Sequence, residues 1–156
     1  HYSTVYSVAW SPDGSKLASG SWDSTVRVWD TSSGSELHKM KGHTHRINSL
    51  DWSPDGSKVA SCSNDETARV WDATSGSELF TLRGHTDAVD GVIWSPDGSK
   101  LASRGCDDTV RVWGSVSGSE LHTLKAHSVH AFAWSPNGTM LADCSETTAE
   151  IWAIPK

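Results

Sequence analysis

With 156 residues, 36% of them apolar and 21% charged, the chain is long enough for one ordinary domain with a core of useful size. No stretch approaches the roughly 18 to 20 consecutive apolar residues of a membrane span, so a soluble protein without a membrane partner is expected. The net charge of -6 works against nucleic acid as a ligand, because neutralising a phosphate backbone requires clustered Lys and Arg. The three cysteines, Cys62, Cys106 and Cys144, lie far apart, with none of the short paired spacings of a zinc or redox site. Scattered, unpaired thiols suit a reducing compartment, which points inside the cell and to the cytoplasm before the nucleus. The sequence opens at His1 with no methionine, basic n-region or apolar h-region, so no secretory signal is expected, and His1 reads as a cut edge of a longer parent.

One block recurs with an offset of 42 residues, as between Trp10, Trp52 and Trp94. Ser-Pro-Asp-Gly-Ser-Lys occupies 11–16, 53–58 and 95–100, with a looser copy at Ser135-Pro136-Asn137-Gly138, and Ser-Gly-Ser-Glu-Leu occupies 33–37, 75–79 and 117–121. The units run at about 1–42, 43–84, 85–126 and 127–156, within a single domain. Each begins with an apolar run ending in tryptophan, such as 5–10 or 47–52. Ser-Pro-Asp-Gly then turns the chain, because proline pre-sets one turn dihedral and glycine accepts the left-handed one. A second strand follows at 16–21, 58–63 and 100–105, then a tight turn holding Asp23, Asp65 or Asp107. The third strand, 25–29 in the first unit, crowds Val26, Val28 and Trp29 onto both of its faces, as a sheet covered on both sides requires. Ser-Gly marks the next turn, and the fourth strand spans 36–41, 78–83 and 120–125. One such four-stranded sheet cannot bury two apolar faces alone, so the units are expected to stack on one another.

These residues resemble the WD-repeat family, in which Gly-His opens a unit and Trp-Asp closes its third strand. Gly42-His43 and Gly84-His85 match the opening, Ala126-His127 departs from it, and His1 stands where the first pair would end. Trp29-Asp30 and Trp71-Asp72 carry the closing pair, while Trp113-Gly114 and Trp152-Ala153 lose its aspartate. The resemblance implies an all-β propeller of four-stranded antiparallel blades, four to the chain, the last without its outer strand. It also implies a buried relay in each blade, linking tryptophan, serine, histidine and aspartate. Those sets are Trp29, Ser19, His1 and Asp23; Trp71, Ser61, His43 and Asp65; Trp113, Ser103, His85 and Asp107. In the fourth unit Asp143 replaces the serine, and Glu146 or Thr147 stands near the aspartate's place, so that blade is expected to be the weakest.

Serine, histidine and aspartate together invite a hydrolase reading. Threefold repetition at equivalent positions, with tryptophan as a fourth member, favours a structural role, and no enzyme activity, cofactor or metal is expected. His43 and His45 sit two apart, but two further converging ligands for zinc are not evident nearby. Of nine tryptophans, Trp22 alone lacks a repeat equivalent, occupying a turn where other units place Asn64, Cys106 and Ser145.

Shared positions specify the fold, so positions that differ between copies are the candidates for partner contact. In the family, partners meet the face carrying the segment before the first strand and the turn after the second. Here those positions are Thr4, Tyr6 and Trp22; Arg46, Asn48 and Asn64; Ala88, Asp90 and Cys106; Ser128, His130 and Ser145. Tyr6, Trp22 and Arg46 are expected to form one patch for a protein or peptide, with Asp90 an acidic counterpart farther round. A non-catalytic scaffold or adaptor follows from this reading. The alternative is a ligand-sensing array belonging to a larger nucleotide-dependent signalling protein. For ring closure, two chains joined end to end as an eight-bladed ring are favoured over a piece of a larger propeller or four self-closing blades, because an open arc would expose apolar faces.

Overall fold

The computed structural model describes residues 1–126, 131–145 and 147–155, and these hold fifteen strands and no helix. The first sheet has β1 (Val5–Trp10), β2 (Lys16–Ser21), β3 (Thr25–Asp30) and β4 (Glu36–Lys41), hydrogen-bonded in that order. The second has β5 (Ile47–Trp52), β6 (Lys58–Ser63), β7 (Thr67–Asp72) and β8 (Glu78–Arg83), and the third has β9 (Val89–Trp94), β10 (Lys100–Gly105), β11 (Thr109–Gly114) and β12 (Glu120–Lys125). The fourth stops at three strands, β13 (Ala131–Trp134), β14 (Met140–Cys144) and β15 (Ala149–Ala153). Every pairing is antiparallel between chain neighbours. This is a propeller of four blades with an incomplete last one.

The first hairpin of each blade is built by its Ser-Pro-Asp-Gly turn. Gly14 N–H donates to the Ser11 carbonyl at 2.9 Å, and the glycine takes φ 71°, a left-handed value that costs a residue without a Cβ little. Asp13 Oδ1 gathers the Ser11 hydroxyl at 2.6 Å and the Ser15 N–H at 3.0 Å. The serine hydroxyls and the Ser15 amide hold the Asp13 carboxyl down at about 2. Asp55 and Asp97 repeat the arrangement, and Asn137 fills the same role in the last blade, accepting from Ser135 Oγ at 2.7 Å.

A polar relay ties the rim of each of the first three blades together. Trp29, Trp71 and Trp113 donate their indole N–H to Ser19, Ser61 and Ser103 Oγ, each at 2.8 Å. The hydroxyl keeps its own hydrogen for histidine Nε2, at 2.7 Å to His1, 2.9 Å to His43 and 2.8 Å to His85. That leaves the Nδ1–H for Asp23, Asp65 and Asp107, at 3.0, 2.8 and 3.0 Å. The carboxylate also accepts a main-chain N–H from Tyr2, Thr44 or Thr86 at 3.0 Å and a threonine hydroxyl in the following turn. Burial pushes His43 and His85 below the usual imidazole range, against the pull of their aspartates. Burial alone would raise Asp65, but its bonds from His43 and Thr67 carry it well below the usual carboxylate range. In the fourth blade Asp143 is buried at the serine position, while His127 and Glu146 lie outside the described residues.

The blades join through matched apolar faces. Ala18, Val26, Val28 and Met40 of the first meet Ile47, Leu50, Trp52 and Val59 of the second. Ala60, Ala68, Val70 and Leu82 then meet Val89, Val92, Trp94 and Leu101, and Ala102, Val110 and Val112 meet Leu141 and Phe132. Each of these inner side chains is removed from water by its neighbour blade, which is worth about 1.5 to 3 kcal/mol for a fully buried Val, Leu or Ile.

Two stability outcomes follow. Ser61→Ala strands the Trp71 indole and the His43 ring and should cost about 1 to 3 kcal/mol per unpaired group, read as a lower urea midpoint. Asp55→Ala should cost about 1 kcal/mol, whereas Asp55→Asn, which copies the Asn137 turn, should lie near wild type. A pH outcome follows from the lowered histidines. The unfolded chain takes up protons at about 6.5, before folded His43 and His85 do, so their contribution is complete above that value and is lost as pH falls towards the folded pKa. The urea midpoint should therefore drop between about pH 8 and pH 5.5, and a flat profile would contradict the relay's neutral histidines.

Candidate functional site

Tyr6, Asn48 and Asp90 share one backbone feature. In β1 the register with β2 shifts between Val5 and Ser7, in β5 between Ile47 and Ser49, and in β9 the slip falls between Val89 and Gly91. Each skipped residue is a β-bulge, an extra residue outside the ladder whose side chain is re-aimed. Because of the bulge, apolar residues three apart, Ile47 and Leu50 or Val89 and Val92, reach the same core face. That spacing was the available sequence signal for the bulge, since simple alternation would put such pairs on opposite sides.

The re-aimed side chain meets the end of the neighbouring second strand or the turn that follows it. Tyr6 stacks on Trp22, ring centroids 5.7 Å apart and planes within 6°. Asn48 Nδ2–H donates to Asn64 Oδ1 and to the Val89 carbonyl, both at 2.8 Å. Asp90 accepts from Arg104 Nε at 2.6 Å, and that guanidinium lies 5.6 Å from the Phe132 ring centre. The segment before each first strand holds the turn by its backbone, Trp22 N–H donating to the Thr4 carbonyl at 2.9 Å and Asn64 N–H to the Arg46 carbonyl at 3.2 Å.

Tyr6, Trp22 and Arg46 come together. The Arg46 guanidinium, from the second blade, sits 5.5 Å from the Tyr6 ring centre and 5.7 Å from that of Trp22. Both aromatics remain about half exposed, at 52% and 49%. Beside them runs an open groove of about 520 Å³ between Trp22, Ser24, Thr44, His45, Arg46 and Asn64. Ser24 holds φ 63°, a conformation uncommon for a residue with a Cβ. Arg27, Arg69, Arg104 and Arg111 each pair with a carboxylate, and Arg46 pairs with none among the described residues. Its Nε is buried without an acceptor.

The other candidate positions are placed differently. Thr4 contributes its carbonyl from an exposed position, and Asn48 spends its amide on Asn64 and on the third blade. Asp90 is paired with Arg104 Nε, and its side chain remains 36% exposed. Ser128 and His130 lie outside the described residues. Ser24, Thr44, His45 and Arg104 were not among the sequence candidates for partner contact. The groove residues could have been found as neighbours of Trp22 and Arg46, but the reach of Arg104 across a strand to Asp90 leaves no sequence signal.

The serine, histidine and aspartate of the relay have the pairwise distances of a nucleophilic triad. Their serines cannot act as one, since Ser61 and Ser103 are fully enclosed and their oxygen is already occupied by an indole N–H. Among the described residues no three His, Cys, Asp or Glu side chains converge to hold a metal ion.

Comparison with known proteins agrees with this architecture. The family model described as "WD domain, G-beta repeat" matches residues 1–30, 34–72, 76–114 and 118–153. A solved chain described as "Structure of U3-55K" superposes with a TM-score of 0.89 at 27% identity, covering 99% of this chain and 50% of that one. A stretch of 40 residues is 58% identical to the U5 small nuclear ribonucleoprotein 40 kDa protein of Homo sapiens, which is 26% of this chain and 11% of that protein. Another of 42 residues is 52% identical to the probable serine/threonine-protein kinase PkwA of Thermomonospora curvata, 27% of this chain and 6% of that protein. The match thus spans a small part of these curated relatives and half of the solved chain. Repeats of this kind generally mediate protein–protein contacts and are generally non-catalytic. On the match of all four of its units, this chain belongs to the WD40 repeat family.

Proposed function

We propose that the chain is a non-catalytic scaffold or adaptor that takes an acidic peptide or protein segment on the face carrying Tyr6, Trp22 and Arg46. The observation that carries this reading is the pair of stacked, half-exposed rings under a guanidinium that has no carboxylate of its own. Aromatic and arginine side chains supply most binding hot spots. A flat guanidinium already oriented by two rings offers its remaining N–H groups to a carboxylate at reduced entropic cost. The groove beside it gives the flanking residues of the segment a place to lie. Three free cysteines support a reducing, cytoplasmic setting for such an adaptor.

A second reading is an array that senses a ligand within a larger signalling protein. It is favoured by the near-identity of the units and by the likeness of one of them to the kinase PkwA. A phosphate-binding loop encoded upstream in the parent gene would support that setting.

The adaptor reading is tested with immobilised peptide pools carrying glutamate, glutamine or lysine at one fixed position. The glutamate pool should bind best, and Tyr6→Ala/Trp22→Ala/Arg46→Ala should lose about thirty-fold or more in affinity, the scale of a lost hot spot. The melting temperature should stay unchanged, and Arg46→Glu should turn the preference towards lysine. Equal capture of acidic and basic pools would reject the reading.

A further inference from the structure

The groove beside Arg46 continues past Ser24. On the far side of that residue lies a second hollow of about 280 Å³, bordered by Lys39, Lys41 and His43 and walled opposite by Asp23, Ser24 and Thr25. Ser24 lines both hollows, and so does the run of chain from Lys39 to Arg46, which leaves β4 and leads towards β5. Together they make one furrow, with the turn from Trp22 to Thr25 as one wall and that run as the other.

Cations stand at both of its ends. Lys39 and Lys41, two apart in β4, point to the same side of the strand, opposite the buried Met40 between them. Lys39 Nζ sits 4.9 Å from the Tyr2 ring centre, and neither lysine pairs with a carboxylate among the described residues. Arg46 is at the other end. The carboxylate that lines the furrow, Asp23, accepts from His1, from Tyr2 N–H and from the Thr25 hydroxyl, and its side chain is only 11% exposed. Between the cationic ends the walls offer the hydroxyls of Ser24 and Thr44.

The next unit does not repeat this charge. One repeat further on, Ser24, Lys39, His45 and Arg46 are matched by Glu66, Thr81, Asp87 and Ala88, which leaves Arg83, the counterpart of Lys41, as the cation. Ser24, Glu66 and Asp108 hold φ 63°, 67° and 58°, so the turn has one geometry in three blades and a different charge in the first. The exposure of the lysines is no effect of the chain's ends. Arg83 and Lys125, the repeat equivalents of Lys41, are exposed too, in blades that have a neighbour on each side.

We propose that an acidic segment lies along this furrow and is recognised at two points, one carboxylate at Arg46 beside the stacked rings and a second between Lys39 and Lys41. The inference rests on the acidic-peptide reading of the Tyr6, Trp22 and Arg46 patch, and adds to it a course for the segment and a second requirement on its sequence. Unpaired cations at both ends attract such a segment, whereas Glu66 and Asp87 one unit on repel it, so a shared fold discriminates between its own repeats.

Glycine-serine peptides carrying a single glutamate, or two glutamates at increasing separations, test this against the whole chain by fluorescence anisotropy at low ionic strength. One separation should bind about five-fold more tightly than the single glutamate, the scale of an added exposed ion pair, and the gain should fall away at shorter and longer ones. Raising the salt should shrink it. Lys39→Gln/Lys41→Gln should abolish the gain and leave the single-glutamate affinity and the β-sheet circular dichroism unchanged, because both side chains are exposed. Arg46→Ala should weaken every peptide. Equal affinity at all separations, a gain that survives the lysine substitutions, or lysine substitutions that weaken the single-glutamate peptide as much would overturn this inference and leave the acidic-peptide reading standing. Binding by none of the peptides would overturn both.

Discussion

The structure depends on the inability of a single four-stranded sheet to hide two apolar faces. Val28 of the first sheet and Trp52 of the second are buried in one cluster shared by the two sheets. Burial, register and spacing are all subordinate to that need. The 42-residue period is the length that returns the chain to the same place on the next sheet, so near-identical sequence can serve four times. Stability accordingly resides in joints between repeats and only secondarily within any one repeat.

Polar groups close the rim that the apolar joints leave open. The relay from indole to carboxylate leaves no buried donor idle along its length, and it anchors the segment before the first strand through the main-chain N–H of Thr44 or Thr86. The glycine of the Gly-His pair belongs to the same construction. A Cβ on Gly42 would sit 2.6 Å from Arg69 Nη1, and one on Gly84 the same distance from Arg111 Nη1. The fourth blade has Glu150 at the arginine position, exposed, and there the glycine has become the buried Ala126. The glycine is thus explained by its arginine neighbour, within one chain.

Much of this was legible in the sequence. The strand limits agree closely with the alternation and turn residues, the third strands running one residue farther to Asp30 and its equivalents. The relay partners are brought together as the family resemblance implied, because their spacing is set by hairpins of constant length. What was hidden depends on side chains crossing between strands or blades. Asp51 stands where other blades have Ala9, Ile93 and Ala133, yet it is half-buried and captures the Trp94 amide, with burial pushing its carboxyl up. The pairing of Asp90 with Arg104 was equally hidden.

The bulge in the first strand of each of the first three blades has an evolutionary consequence. A residue outside the ladder sets no pairing register, and tyrosine, asparagine and aspartate each occupy that place in one of the three blades. Duplication of a unit copies the scaffold together with one such permissive slot. Mutation can then change the side chain offered at each slot one blade at a time, on a timescale uncoupled from selection for folding.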